Sequence, residues 1–211
     1  MSDQPSVSAL ADRVRRALDG PGRVLVGIAG EPGAGKSTLA ARLVEELISE
    51  GVAAVLVPMD GFHLTQAELE RRGLADRKGA VETFDASGYA ALLATLGQAA
   101  GADVWAPAYD RSIEEVVPDS VLVPGAARVV VTEGNYLLVD EEPWRQVREL
   151  LTEAWYVQAD DGVRLRRLVA RHEEFGKSPD HARAWVASVD EPNAALIRST
   201  RDRADLVVRV D

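Results

Sequence analysis

Apolar residues return along this chain with two alternating rhythms. Over residues 6–18, Val7, Leu10, Ala11, Val14 and Leu18 recur at helical spacing until Gly20-Pro21-Gly22 stops them. Residues 24–30 form an unbroken apolar run, the pattern of a strand covered on both faces, and a helical stretch over 39–50 follows it as far as Gly51. The alternation then continues. Further strands are predicted at 53–58, 128–134, 154–157 and 206–210. Helices are predicted at 65–73, from Asp85 or Ser87 to about Ala100, at 143–151, and at 163–174 behind Asp160 or Asp161. Ser178-Pro179 and Glu191-Pro192 each open another, since proline suits the first helical turn. Residues 104–111 read as extended, but Pro107 bars them from a central ladder position. Residues 115–117 and 121–123, split by Pro118-Asp119-Ser120, are expected to fold on each other as a small projecting hairpin. Strands that alternate with helices imply parallel crossovers, hence an α/β fold with a five-stranded, doubly wound parallel sheet and helices on both faces. No repeat, low-complexity tract or linker interrupts residues 1–211, so a single domain is expected.

Where the first strand meets its helix, the chain reads Gly30-Glu31-Pro32-Gly33-Ala34-Gly35-Lys36-Ser37-Thr38. This spacing is that of a phosphate-binding loop, and the chemistry needs these residue types. Glycines let successive N–H groups turn inward at phosphate oxygens, and the helix N-terminus adds its positive end. Gly30, Gly33, Ala34, Gly35, Lys36, Ser37 and Thr38 are therefore the expected nucleotide cradle, with Lys36 reaching the β- and γ-phosphates and the Ser37 hydroxyl placed for Mg²⁺.

Composition narrows the setting. Without cysteine, no disulfide framework, thiolate metal site or thiol nucleophile is available. A net charge of −10 argues against nucleic acid as a partner, and only three of the 24 basic residues are lysines, Lys36, Lys78 and Lys177. No apolar run approaches the roughly 20 residues of a membrane helix, and the N-terminal Met1-Ser2-Asp3-Gln4-Pro5 does not read as a secretory signal. A cytoplasmic enzyme is the expectation.

Phosphoryl transfer needs a metal site, a group that handles the acceptor proton, and positive charge for the transition state. Two carboxylates at strand ends, Asp60 and Glu133, suit the first two roles; turn or helix-capping carboxylates are the alternative. Arg164, Arg167 and Arg171, spaced i, i+3, i+7, share one helix face beside the glycine-containing loop 174–178, as lid arginines would, with Arg166 nearby. The competing reading is a solvated helix face. His63 and Tyr109 are candidate substrate contacts, set against plain hydrogen bonding and packing.

Several further segments complete a set: Met59-Asp60-Gly61-Phe62-His63-Leu64, Arg77-Lys78-Gly79, Glu82-Thr83-Phe84-Asp85, Pro107-Ala108-Tyr109-Asp110-Arg111, Glu133-Gly134-Asn135-Tyr136, Pro192-Asn193-Ala194 and Thr200-Arg201-Asp202-Arg203. With the glycine loop, and from Arg23 onward, they resemble the uridine kinase, phosphoribulokinase and bacterial pantothenate kinase group of P-loop kinases. The likeness extends to bacterial nucleotide kinase-like and fructose-transport-associated kinase-like proteins. The resemblance implies a P-loop NTPase core with a lid and small substrate-side insertions. It also implies Asp60 as the base for the acceptor hydroxyl, Glu133 as the second-strand acid at the metal, and Arg167 and Arg171 as arginines that close over the phosphates. Asp85 then becomes a holder of acceptor hydroxyls, with His63, Tyr109, Arg111 and Asn193 as the other acceptor contacts. One departure stands out: where uridine kinases follow Pro-x-Tyr-Asp with a histidine, this chain has Arg111.

The reading is thus a kinase that uses ATP and Mg²⁺ to phosphorylate a hydroxyl of a small metabolite of nucleoside, pantothenate or sugar type. The hairpin offers a contact for a homodimer. A GTPase switch and a catalytically silent regulatory binder share the phosphate loop. Neither Lys78 nor Lys177 lies in an Asn-Lys-x-Asp guanine-reading segment, and the intact Lys36, Ser37, Asp60 and Glu133 speak against a silent binder.

Overall fold

A computed structural model describes residues 5–20, 22–98 and 101–210. Met1–Gln4, Pro21 and Ala100, the expected end of the fourth helix, lie outside the described residues. In chain order the strands are β1 (Val24–Gly30), β2 (Ala54–Leu56), β3 (Val104–Asp110), β4 (Glu115–Val123), β5 (Val129–Glu133), β6 (Glu153–Ala159) and β7 (Leu206–Val210). The helices are α1 (Val7–Ala17), α2 (Lys36–Ser49), α3 (Gln66–Arg72), α4 (Ala86–Gln98), α5 (Trp144–Leu150), α6 (Asp161–Glu174), α7 (Pro179–Trp185) and α8 (Glu191–Ser199). Five strands form one parallel sheet in the order β2-β5-β1-β6-β7, as the alternating pattern predicts.

The sheet is covered on both faces because β1 alternates between two cores. Leu25 and Ala29 join Leu93, Leu96, Tyr136 and Trp144 on the side of α4 and α5. Val24, Val26 and Ile28 join Leu10, Val14, Leu43 and Leu47 on the side of α1 and α2. All seven residues of β1 are buried, so its two ends are held in place by the whole sheet. The chain leaves β1 for β2 on one side, returns through β5, and continues into β6 and β7 on the other. Ligands of open parallel sheets bind above the carboxyl ends at such a reversal. Among the described residues no helix is long and apolar enough to cross a membrane.

Two local expectations need correction. The hairpin does not form within residues 115–123. That whole segment is one strand, β4, and it pairs antiparallel with β3 from Val104↔Val123 to Asp110↔Glu115. Pro118-Asp119-Ser120 does not turn the chain but bulges out opposite Pro107, where a proline can give no ladder bond. The reversal falls at residues 111–114, where Glu114 takes the left-handed conformation with φ 53°. The helices opened by Pro179 and Pro192 are likewise not separate, since a π-helical turn, Val186–Asp190, joins α7 to α8.

The β3–β4 hairpin packs on the 3₁₀ turn Met59–Phe62 that follows β2. Contact is close enough that a side chain at Gly61 would run into the Pro107 carbonyl. This packing brings the hairpin tip over the carboxyl edge of the sheet.

Candidate active site

The site begins where β1 ends. Gly33 and Gly35 take φ +78° and +94°, and Gly35 is the left-handed N-cap of α2. Only glycine adopts such angles without strain. Ala34 N–H donates to the Glu31 carbonyl at 3.1 Å, tightening the loop. Lys36, the first residue of α2, folds its ammonium back to donate to the same carbonyl at 3.1 Å. Burial pulls its pKa down to about 8, against the opposing pull of the Glu133 and Asp60 carboxylates.

Glu133 ends β5, the neighbour of β1, and its Oε1 accepts from the Ser37 hydroxyl at 2.9 Å. Its pKa is raised, first by burial and then by Asp60, while Lys36 and Ser37 act the other way. Asp60 lies in the turn beyond β2, one strand further out, and its Oδ2 accepts from Arg111 at 2.8 Å. The sheet order β2-β5-β1 thus sets Asp60, Glu133 and the glycine loop side by side. Among the described residues no group of three or more His, Cys, Asp or Glu forms a metal site. Mg²⁺ does not require one, because it keeps waters and substrate phosphate oxygens beside one or two protein oxygens. The touching Ser37 hydroxyl and buried Glu133 carboxylate are hard oxygen donors of that kind.

A cleft of about 490 Å³ runs from Lys36, Ser37 and Glu133 past Asp60 to Lys78 and Tyr109. His63, Arg111 and Asn193 line it too. The His63 ring lies 4.1 Å from that of Phe84 and 4.6 Å from that of Tyr109, so the outer end has an aromatic wall. His63 Nδ1 is 2.8 Å from the Asp60 carbonyl, which can only accept, so Nδ1 carries the proton. Burial lowers the His63 pKa, favouring the neutral ring. Burial also pushes the Tyr109 hydroxyl up to about 12.

The arginines of α6 divide. Arg171 lines the cleft, its pKa lowered by burial and then by Arg111. Arg167 does not line it, although its guanidinium reaches the neighbourhood of Gly35, 3.9 Å from where a side chain there would begin. Arg164, with a 1% exposed side chain, is committed to Glu31, Asp161 and Glu191 at 3.4, 3.3 and 2.6 Å. It therefore clamps the glycine loop to α6 and α8 rather than facing phosphates. Asp85 is also away from the cleft lining. Its Oδ1 accepts from Gly88 N–H at 2.9 Å and caps α4.

Sequence reasoning passed over several residues here. Glu31 is buried and accepts from Arg198 at 2.6 Å and from the Tyr156 hydroxyl at 3.1 Å. His172 and Asp190 pair across the cleft wall at 2.8 Å, and Lys177 sits 4.9 Å above the Trp185 ring. Lys78 lines the far end. Only Lys78 and Lys177 carried a signal, as two of the three lysines in an arginine-rich chain.

Comparison with known proteins matches residues 25–211 to the model of the Phosphoribulokinase / Uridine kinase family. A provisionally named uridine kinase of Schizosaccharomyces pombe is 35% identical over 181 residues, 81% of this chain and 76% of that protein. The pantothenate kinase of Streptomyces coelicolor is 31% identical over 215 residues, 88% of this chain and 65% of that enzyme. Among solved structures, a provisionally named fructose transport system kinase from Silicibacter sp. TM1040 superposes with a TM-score of 0.89 at 38% identity. It covers 96% of this chain and 98% of its own.

Proposed function

This chain belongs to the phosphoribulokinase/uridine kinase family, and on that premise we propose that it is a kinase moving the γ-phosphoryl group of ATP to a hydroxyl of a small metabolite. The observation that carries the reading is the convergence of Lys36, the Ser37–Glu133 pair and Asp60 on one cleft. Loop N–H groups and the Lys36 ammonium are suited to hold the β- and γ-phosphates. The Ser37 hydroxyl and the Glu133 carboxylate would hold Mg²⁺, which neutralises charge on the phosphate oxygens when bound.

Asp60 then acts on the acceptor. As the acceptor oxygen bonds to the γ-phosphorus, the bond from that phosphorus to the β–γ bridging oxygen breaks and ADP departs. The hydroxyl proton passes to the Asp60 carboxylate, whose placement also orients the hydroxyl. Arg171, close enough to interact with Asp60 and Glu133, supplies positive charge beside the reacting phosphoryl group. Neutral His63, with Nδ1 held by the Asp60 carbonyl, keeps Nε2 as an acceptor for a second acceptor hydroxyl. Residence in the cytoplasm, and a homodimer contact through the hairpin with its exposed Trp105 and Leu122, belong to the same proposal.

The test is acceptor-dependent ADP release from Mg·ATP across nucleosides, pantothenate and sugars. Release stimulated by one class and abolished by Lys36→Ala is the expected result. Tight GTP binding without stimulation by any acceptor would return the chain to the switch class.

A further inference from the structure

Two cations, Lys78 and Arg111, line the cleft beside the aromatic wall of His63 and Tyr109. Lys78 donates to the Glu114 carbonyl at 2.6 Å and lies 5.4 Å above the Tyr109 ring. Among the described residues no carboxylate forms an ion pair with it, so two of its three N–H donors stay uncommitted to protein. Arg111 is held to Asp60 through Nη2 alone, which leaves the remainder of its five donors. The two belong to one locality, since the charges of both act on His63. Arg111 also acts on Arg171 and Glu133, so it stands between Lys78 and the phosphate-end cations Lys36 and Arg171.

We propose that the acceptor carries an anionic group, a carboxylate or a phosphate ester, which Lys78 and Arg111 hold against the aromatic wall of His63 and Tyr109. The proposal rests on the kinase reading above and names the substrate class of that site. Of the acids near them that line the cleft, Asp60 is taken up by Arg111, while Glu114 meets Lys78 through its carbonyl and not its carboxylate. A neutral acceptor would take stacking from the rings and leave the Lys78 ammonium without a counter-charge. An anionic one pairs with it directly, and charged hydrogen bonds of this kind are about twice as strong as neutral ones. Drawing Arg111 toward that anion also loosens its hold on Asp60, so the base becomes available when the acceptor is present.

The experiment uses the full chain at saturating Mg·ATP and measures ADP release with matched acceptors. Uridine and fructose are the neutral arm, pantothenate and glycerate the carboxylate arm, and fructose 6-phosphate the phosphate-ester arm. Stimulation confined to one charged arm is expected, and which arm responds identifies the anion. For that acceptor, Lys78→Met should raise KM about 10- to 100-fold with kcat little changed, and Lys78→Arg should recover most of the loss. Equal melting temperatures for the three proteins exclude misfolding as the cause. Preference for uridine or fructose, or an unchanged KM in Lys78→Met, overturns the inference. So does stimulation by no arm in a chain that still binds Mg·ATP, with the nucleotide site left intact. Failure to bind Mg·ATP at all overturns instead the kinase reading beneath it.

Discussion

The buried carboxylate of Glu31 gives the sharpest test of what holds the phosphate loop in shape. In Glu31→Gln the shape persists and the charge goes. Two ionic contacts weaken, that of Arg198 at 2.6 Å and that of Arg164 at 3.4 Å. The Arg198 side chain is 48% exposed, so its share is that of a surface pair, up to about 1 kcal/mol. Arg164 is buried, and its charge-assisted contact is worth about 1.5–2 kcal/mol. Removing one partner of a fully buried pair costs about 3–5 kcal/mol, but Arg164 keeps Glu191 and Asp161, so the loss stays below that range. The sum is about 1.5–3 kcal/mol, which for a chain of this size lowers Tm by about 3–12 °C. Urea unfolding followed by far-ultraviolet circular dichroism measures it. A second arm uses Arg198→Met, in whose background Glu31→Gln should cost about 1 kcal/mol less, the coupling of the pair. Because the Glu31 carbonyl also receives Lys36 and Ala34, Mg·ATP binding should weaken in step with stability. An unfolding free energy within about 0.5 kcal/mol of wild type would refute the reasoning, since Asp161 and Glu191 would then satisfy Arg164 unaided.

Three further outcomes are expected. Asp60→Asn should lower kcat at least about 100-fold while acceptor KM changes little, as for loss of a proton acceptor; retention of most of the turnover would assign the proton elsewhere. Asp85→Ala should cost about 1 kcal/mol by uncapping α4, whereas Asp85→Asn, still a good cap, should be nearly silent; a rise in acceptor KM in Asp85→Asn at full stability would place Asp85 on the substrate. Lys36 has a folded pKa near 8, below its unfolded 10.5, so the unfolded chain binds more protons between those values. The ligand-free protein therefore gains stability from this group as pH rises through that window, and Mg·ATP, which favours the charged ammonium, should take up roughly 0.7 proton at pH 8.5 and far less at pH 7. Calorimetry in buffers of different ionisation enthalpy reads the uptake, and its persistence in Lys36→Ala would assign it to another group.

What the sequence determines here is local and periodic. A seven-residue apolar run can be covered only inside a sheet, and glycines at positions 33 and 35 permit the positive φ angles that the loop adopts before α2. The five-stranded parallel sheet follows from such runs alternating with helical stretches, and it is present as predicted. The remainder depended on which distant residues meet. Pro118-Asp119-Ser120 looks like a turn in isolation, yet pairing with β3 absorbs it as a bulge. Arg164, Arg167 and Arg171 share a helical spacing, but α6 packs with Arg164 inward against Glu31 and Glu191, and that burial removes it from the set. Asp85 and Asp60 are both carboxylates at the start of a turn or helix. One meets its own backbone amide and the other meets Arg111 across the hairpin. A side chain's partners lie up to 167 residues away along this chain, as Glu31 and Arg198 do, and periodicity carries no information over that distance. Only the folded sheet, by ordering β2, β5 and β1 side by side, decides which charges are neighbours.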